Sequence, residues 1–171
     1  MSTGGSFKRG WYLIYTMPKH EKKVHARLVN LALNSFLPAR KTLKFWSGRK
    51  KFVEEPLFPS YVFVYLEDFQ GYWKVMSVEG YLSYVKFGKE LAFVSEQVVN
   101  SIKLATDYEG EVQVSDRDFA EGRRIVLPEG RWGGLACEIV EYNNTESIIF
   151  RVAPLRHSLL LEIPGQYLVK L

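Results

Sequence analysis

Residues 56–66, with the sequence PLFPSYVFVYL, constrain the fold more than any other stretch of this chain. A proline-bracketed entry leads into six apolar or aromatic residues, a composition typical of a β-strand. Side chains alternate between the two faces of a strand, so the aromatic residues Tyr61, Phe63 and Tyr65 share one face and the aliphatic residues share the other. The strand is therefore either central and covered on both sides, or covered on one side with its aromatics presented to a partner.

The N-terminal part of the chain predicts a sheet with helices packed on it. Val24, Leu28, Leu31 and Ala32 recur at helical spacing within residues 20–33. A second, shorter helical pattern is formed by Phe69, Trp73 and Met76, and a third helix follows Ser95 as its N-cap. Strand-type runs cover residues 11–17, 36–46, 49–53, 57–66, 81–87 and 91–94. Strands that alternate with helices in this way predict an α+β domain.

Residues 36–46 and 49–53 predict a hairpin that is basic on both arms. Ser47 and Gly48 form the turn signal between them, and Glu54, Glu55 and Pro56 end the second arm. Basic strands suit contact with phosphate groups. They equally suit a charged sheet edge that prevents strand pairing between molecules, so both interpretations stay open.

The character of the chain changes after residue 106. Residues 107–117 are acidic and without periodicity, which predicts a linker. Short strand-type runs separated by turn residues then follow without a helix, which predicts a small barrel closed to avoid open edges. The predicted strands cover residues 123–127, 135–142, 146–152, 157–163 and 167–171, with turns at 128–130, 133–134, 143–144 and 164–165.

Charge is distributed unevenly between the two parts. Residues 1–106 hold 16 basic and 8 acidic residues, whereas residues 107–171 hold 7 basic and 11 acidic residues. Between Glu21 and Glu54 there are nine basic residues and no acidic one. This is the footprint expected for phosphate contact, although a solvated basic face that keeps the protein soluble is the simpler explanation of a charge run.

Several classes of function find little support. The single cysteine, Cys137, has no partner for an internal disulfide, and no apolar run reaches the roughly 18 residues of a membrane helix, so we expect a cytoplasmic protein. The three histidines, His20, His25 and His157, are scattered, and no spacing suggests a metal site or a catalytic dyad. We expect neither a metal nor another cofactor, and no enzymatic activity.

At this point the chain resembles the NusG family of transcription elongation factors. The resemblance lies in WYLIYT followed by a basic helix and hairpin, in EPLFPSYVFVYL, and in GRRIVLPEGRWGGLACEIVEY near the C-terminus. The segments GYLSYVKFG and LLLEIPGQYLVKL are similar to specialised paralogues of the RfaH and UpxY type. The resemblance implies an NGN domain at residues 8–106 and a C-terminal KOW domain, a five-stranded SH3-like barrel, at residues 118–171.

In that family, aromatic residues of the NGN domain bind the clamp helices of the largest subunit of bacterial RNA polymerase. The resemblance assigns this role to Tyr15, Phe58, Tyr61 and Phe63. Rigid aromatic side chains lose little entropy on binding, so the assignment is physically reasonable. Aromatic strand residues are more often part of a sheet core, and the sequence leaves that alternative open.

Specialised paralogues also contact the non-template DNA strand. The resemblance assigns this role to Lys19, His20, Lys23, Arg27 and Lys74. Lysine and arginine supply phosphate affinity, and His20 is the candidate for a base contact. Glu79 is acidic where an RfaH-like protein carries a base, so a shared DNA sequence preference does not follow.

The resemblance therefore implies a monomeric, operon-specific factor that suppresses pausing or termination. Its KOW domain would contact a small-subunit ribosomal protein or a termination factor. The alternative from the residues alone is a KOW-containing RNA-binding or ribosome-associated protein that holds RNA through its basic hairpin and helix.

Overall fold

The computed structural model describes residues 7–127, 134–142 and 145–162 of the 171-residue chain. The chain divides into two compact units, Met1–Ser95 and Glu96–Leu171. The sequence assigns residues 96–106 to the N-terminal domain, whereas in the structure they group with the C-terminal unit. The division into an NGN domain, a linker and a KOW domain stays a prediction.

The described residues of the N-terminal unit form one antiparallel sheet, two helices and two separate hairpins. The elements are β1 (Gly10–Thr16), α1 (Glu21–Asn30), β2 (Asn34–Phe36), β3 (Ala39–Trp46), β4 (Arg49–Pro56), β5 (Tyr61–Leu66), α2 (Phe69–Met76), β6 (Tyr81–Tyr84), β7 (Lys86–Phe87), β8 (Glu90–Leu91) and β9 (Phe93–Val94). The sheet has the strand order β2-β5-β1-β6, and β9 also pairs with β1. Strands β3 and β4 form one hairpin, and β7 and β8 form the other.

The aliphatic face of β5 forms the core of this unit. Val62, Val64 and Leu66 are fully buried, and they join one apolar cluster with Val24 of α1 and Val75 of α2. The cluster also contains residues of β1 and β6 on the same face of the sheet. Of the two arrangements that the sequence leaves open for β5, the central one is observed, because β2 and β1 flank it.

Helix α1 is shorter than the predicted range of residues 20–33. Ala32 adopts a left-handed conformation with φ 59°, its N–H donates to the Val29 carbonyl, and the Leu33 N–H donates to the Leu28 carbonyl. These two hydrogen bonds form a Schellman motif, which satisfies carbonyls that a helix end otherwise leaves open. The last apolar positions of the pattern, Leu31 and Ala32, therefore lie beyond the helix.

Two other predictions in this unit need correction. The predicted strand over residues 36–46 is divided, because Asn34–Phe36 pairs with β5 and Ala39–Trp46 pairs only with β4. The proline at position 38 explains the break, since it has no N–H to donate to a ladder. Helix α2 exists as predicted, but its aromatic stripe faces solvent: Phe69, Trp73 and Met76 are exposed, and the buried face contains Gly71 and Val75.

The C-terminal unit contains one helix and a five-stranded antiparallel sheet. Its elements are α3 (Glu96–Asp107), β10 (Val112–Ser115), β11 (Arg123–Val126), β12 (Ala136–Tyr142), β13 (Thr145–Val152) and β14 (His157–Glu162). The strand order is β10-β14-β13-β12-β11. A linker over residues 107–117 is wrong for Val112–Ser115, because this segment pairs with β14. The predicted strand at residues 167–171 and the turns at 128–130, 143–144 and 164–165 lie outside the described residues, as does residue 133 of the remaining turn.

A half-buried ion pair joins the second sheet to the segment before β11. Glu138 accepts hydrogen bonds from Arg151 Nε at 3.0 Å and from the Gly122 N–H at 3.1 Å. The hydrogen bond from Arg151 holds the pKa of Glu138 below its ordinary value. A Cβ atom at Gly122 would lie 2.4 Å from the Ile139 carbonyl oxygen, so only glycine permits this close approach.

Candidate functional site

Ser60 organises the aromatic end of the first sheet. Pro59 and Ser60 form a tight turn before β5, and Ser60 adopts a left-handed conformation with φ 69°. Its N–H donates to Glu21 Oε1 at 2.7 Å, and its carbonyl accepts from the Thr16 N–H at 2.8 Å. The turn is therefore fixed to the first turn of α1 and to the end of β1.

Tyr15 and Tyr61 form an accessible aromatic pair beside this turn. They lie directly opposite each other in the antiparallel register of β1 and β5. Their ring centroids are 5.3 Å apart with an interplanar angle of 58°. Tyr15 is 37% exposed and Tyr61 is half-buried, so both rings present surface to a partner. A preformed pair of this kind has little conformational entropy left to lose on binding.

The other two predicted polymerase-binding residues lie in the interior. Phe58 is 2% exposed and Phe63 is 0% exposed. Their ring centroids are 6.5 Å apart, and Phe36 of β2 lies 5.9 Å from Phe63. The predicted set thus divides by depth: the two tyrosines form a surface, and the two phenylalanines form packing within the unit. A role for any of the four in binding polymerase stays a prediction.

The predicted nucleic-acid residues are concentrated at the start of α1. Lys19 and Lys23 are exposed, and Lys19 precedes the helix in a left-handed conformation. His20 is the N-cap residue, and its Nδ1 donates to the Pro18 carbonyl at 3.1 Å. That hydrogen bond assigns the donor proton to Nδ1, which leaves Nε2 as the acceptor in the neutral ring.

Arg27 differs from the two lysines because its guanidinium already forms hydrogen bonds within the protein. Its guanidinium donates to the Glu79 carbonyl oxygen at 2.6 Å and to Glu79 Oε2 at 2.7 Å. A phosphate would have to displace these bonds, so Arg27 is the weakest member of the predicted set in this conformation. The acidic residue that the sequence singled out, Glu79, is the one that holds it.

Lys74 lies in the last turn of α2 and is exposed. It is followed along the chain by Val75, which is buried, and preceded by the exposed ring of Trp73. The predicted lysine therefore has an aromatic neighbour on the surface of the same helix, a combination common in single-strand binding proteins.

Two functional features were not predicted from the sequence. Glu21 is 6% exposed and fixes the Ser60 turn, and its position in the first turn of a helix was the available signal. The outer part of the β3–β4 hairpin exposes Phe45, Trp46 and Phe52, which the sequence analysis treated only as part of a basic hairpin.

Burial is the main cause of the pKa shifts of three groups in the described parts of the chain. Burial raises the pKa of Tyr84, whose hydroxyl donates to the Tyr72 carbonyl at 3.0 Å. Burial lowers the pKa of His25, which forms a 2.8 Å hydrogen bond with Ser35 Oγ. Burial, with a smaller contribution from Glu138, raises the pKa of the Cys137 thiol to about 11. Cys137 is thus a small buried residue and a poor nucleophile.

The N-terminal geometry can be compared with known families. The family described as "Transcription termination factor nusG" matches residues 9–103 of this chain. The chain belongs to the NusG family. A similar curated relative is the transcription termination/antitermination protein NusG of Lactococcus lactis, 28% identical over 151 residues, which covers 81% of this chain and 80% of the relative. NusG of Borreliella burgdorferi is 24% identical over 143 residues, covering 71% and 76%.

The fold agrees with NusG-family membership. A solved structure titled "Domain interaction in Thermotoga maritima NusG" matches with a TM-score of 0.50 and 22% identity, covering 92% of this chain and 96% of that one. At that identity the match concerns the fold alone. Among the helices of the described residues, none is long and apolar enough to cross a membrane.

Proposed function

We propose that this NusG-family chain is an operon-specific elongation factor of the RfaH and UpxY type. It binds the clamp helices of bacterial RNA polymerase in the cytoplasm and suppresses pausing or termination. It has no enzymatic activity, needs no cofactor and acts as a monomer. NusG-family membership supports a role in transcription termination or antitermination.

The observation that carries the proposal is the Tyr15–Tyr61 pair. Two aromatic rings are held at a fixed distance of 5.3 Å by a turn that hydrogen bonds to both neighbouring elements. Phe58 and Phe63 are buried in the same unit and contribute packing, so they offer no exposed surface of their own. The tip of a partner helix that covers the two tyrosines buries their rings against an already ordered surface.

The nucleic-acid partner of the proposal is the non-template DNA strand. Lys19, Lys23 and Lys74 are exposed and supply phosphate affinity, and His20 carries a free acceptor nitrogen for a base edge. Arg27 contributes after its bonds to Glu79 are broken.

We assign residues 8–106 to an NGN domain, 107–117 to a linker and 118–171 to a KOW domain with an SH3-like barrel. The antiparallel order of β10 to β14 supports a small all-β unit, and β10 adds a strand from within the assigned linker. Through this domain the factor contacts a small-subunit ribosomal protein or a termination factor and couples transcription to translation.

A pull-down of core RNA polymerase tests the central claim. The wild type is compared with Tyr15→Ala and Tyr61→Ala, because truncation of a central aromatic contact weakens binding by about 2 kcal/mol or more, roughly 30-fold. Phe87→Ala is the matched control, since Phe87 is an exposed aromatic of the β7–β8 hairpin. Phe63→Ala is unsuitable here, because loss of a buried ring destabilises the fold itself.

Retention of polymerase by the wild type and by the Phe87 variant, with loss in both tyrosine variants, supports the proposal. The RNA-binding alternative predicts a different pattern: the tyrosine variants retain polymerase as the wild type does, or none is retained at all, while their affinity for RNA falls. Either result rejects the elongation-factor mechanism.

A further inference from the structure

The β3–β4 hairpin is the most exposed aromatic feature of the described chain. Its strands pair with each other over eight residue pairs, from Ala39 opposite Pro56 to Trp46 opposite Arg49. The turn residues Ser47 and Gly48 have φ values of 48° and 76°. Positive φ at both positions is the geometry of a two-residue hairpin turn that matches the twist of the strands. The ribbon therefore has a defined register, and with it two defined faces.

The register separates an aromatic face from a cationic face. Residues directly opposite each other share a face, so Phe45 shares one with Lys50, and Phe52 shares the same one with Leu43. On the other face, Trp46 lies opposite Arg49 and Lys44 lies opposite Lys51. We call Leu43, Phe45, Lys50 and Phe52 the aromatic face, and Lys44, Trp46, Arg49 and Lys51 the cationic face.

The side chains of the aromatic face are open to solvent. Phe45 is 65% exposed and Phe52 is 69% exposed, and Trp46 on the other face is 67% exposed. Lys50 Nζ lies 5.4 Å from the centroid of the Phe45 ring. A ribbon with three open aromatic rings exposes apolar surface that a partner is expected to cover.

The charges on the hairpin identify the kind of partner. Residues 43–53 contain Lys44, Arg49, Lys50 and Lys51 and no acidic residue. The two glutamates at the base of the hairpin are each paired: Glu54 with Lys22 of α1, and Glu55 with Lys44. Glu55 therefore compensates Lys44, and Arg49, Lys50 and Lys51 of the outer part carry the positive charge beside the aromatic rings, which fits a polyanion that has exposed π-faces.

We infer that the aromatic face of the hairpin stacks the bases of an unpaired DNA strand while the neighbouring lysines and arginine contact its phosphates. Same-face neighbours on a strand lie about 7 Å apart, so Phe45 and the Leu43–Phe52 pair offer two successive platforms. Aromatic side chains exposed on β-strands stack successive bases in this manner in other single-strand binding folds.

The choice of DNA rests on the proposed function and on continuity with α1. Lys22 Nζ donates to the Glu54 carbonyl at 2.7 Å, so the base of the hairpin is attached to α1, whose first turn contains Lys23 and which Lys19 precedes. A DNA strand that contacts those lysines therefore meets an element joined directly to the hairpin.

Fluorescence anisotropy of the full-length protein tests the inference. The probe is a labelled single-stranded DNA of about 20 nucleotides, longer than the roughly 4–16 nucleotides that one small binding fold covers. Phe45→Ala combined with Phe52→Ala should weaken binding about tenfold or more, since each stacked base contributes measurably. Phe45→Trp should retain affinity because it keeps a ring, and Phe87→Ala, an exposed aromatic on another hairpin, should bind as the wild type does.

A salt titration separates stacking from charge. Lys50→Gln combined with Lys51→Gln should lower the slope of log affinity against log salt by about 1.4, the value for two phosphate contacts on a single strand. The phenylalanine variant should leave that slope unchanged. Equal slopes in all variants would contradict the phosphate contacts.

The remaining outcomes each decide between partners. Unchanged DNA affinity in the phenylalanine variant overturns the inference, as does equal weakening for duplex and single-stranded probes. Tighter binding of RNA of the same sequence, lost in the same variant, replaces DNA by RNA. Binding of vesicles of phosphatidylglycerol and phosphatidylcholine that depends on these rings, without an effect on DNA, replaces DNA by a membrane surface.

Lys23→Gln tests the contribution of α1 independently. DNA binding that requires the hairpin but not Lys23 retains this inference and rejects the α1 contact. The polymerase pull-down tests the proposed function separately.

Discussion

Two antiparallel strand pairs of the N-terminal unit are rich in aromatic residues, and they use them in opposite ways. In β1 and β5, Phe63 is fully buried and Tyr15 and Tyr61 reach the surface only at the end of the pair. In β3 and β4, Phe45 and Phe52 are exposed along the ribbon. Both pairs are antiparallel and both contain several aromatic residues. The difference is that β5 is flanked by strands on both sides and covered by helices, whereas β3 and β4 pair only with each other among the described strands.

This comparison shows that an aromatic strand does not by itself indicate a core. The β5 pair is covered because its aliphatic face meets Val24 and Leu28 of α1 at helical spacing. The hairpin has a lysine or arginine opposite most of its outer aromatic positions, so burial would require removing several charges from water. Charged cross-strand partners therefore favour exposure of Phe45 and Trp46, whereas Phe63 is buried because neighbouring elements cover its strand pair.

The largest effect on the comparison should come from Phe63→Ala. Removal of a fully buried ring leaves a cavity and should lower the free energy of unfolding by about 3–5 kcal/mol. Urea denaturation followed by circular dichroism measures it. A loss below about 1 kcal/mol would show that the ring is not core, and that the two strand pairs are more alike than the structure indicates.

A smaller loss should follow Glu21→Ala, which removes the acceptor of the Ser60 N–H. A buried backbone donor without a partner costs about 1–3 kcal/mol. The same denaturation measurement applies, with Glu21→Gln as the rescue variant because its amide oxygen can still accept. Lys23→Ala, an exposed residue of the same helical turn, is the control. If alanine and glutamine at position 21 are equivalent, the hydrogen bond does not stabilise the turn.

The contribution of His25 should appear as a dependence on pH. Burial lowers its pKa in the folded state, so the folded protein holds a neutral ring. As the pH falls through about 6.5, the unfolded chain takes up a proton that the folded state still refuses. The stabilisation is therefore complete above that pH and decreases as the pH falls towards the folded-state pKa. Denaturation at several pH values between 5 and 8 should show a smaller decrease in His25→Gln, and identical profiles would contradict the assignment.

The smallest effect should come from Phe52→Ala in the hairpin. An exposed side chain outside the core changes the free energy of unfolding by less than about 0.5 kcal/mol. The measurement is the same as for Phe63→Ala, so the two variants give the comparison directly. A loss above about 2 kcal/mol would mean that the hairpin aromatics pack in the folded protein.

The sequence predicts the order of elements well, because hydrophobic periodicity and turn residues are local signals. It predicts α2 as a helix, which is confirmed, and it leaves open whether β5 is central, which the structure decides. It fails where pairing across long sequence distances decides the outcome. Val112–Ser115 looks like a linker because its flanks are acidic, but it pairs with β14 about fifty residues away. The short pattern of Phe69, Trp73 and Met76 gives the helix but not the face that it buries.

The predicted site residues show the same limit. The tyrosine pair is accessible, but the burial of Phe58 and Phe63 depends on tertiary packing that the strand pattern leaves undetermined. The ion pair between Arg27 and Glu79 joins positions 52 residues apart, which no local spacing indicates. The sequence does not indicate the hydrogen bond from the Ser60 N–H to Glu21, because an acidic residue at a helix start is usually explained by the helix dipole alone.

The hydrogen bond between Glu21 and Ser60 connects the two surfaces that we propose for DNA and for polymerase. Lys23 lies in the first turn of α1 and Lys19 precedes it, and Glu21 between them is hydrogen bonded to the turn before Tyr61. Because thermodynamic coupling is reciprocal, any effect of polymerase on the affinity for DNA, under our proposal, equals the effect of DNA on the affinity for polymerase.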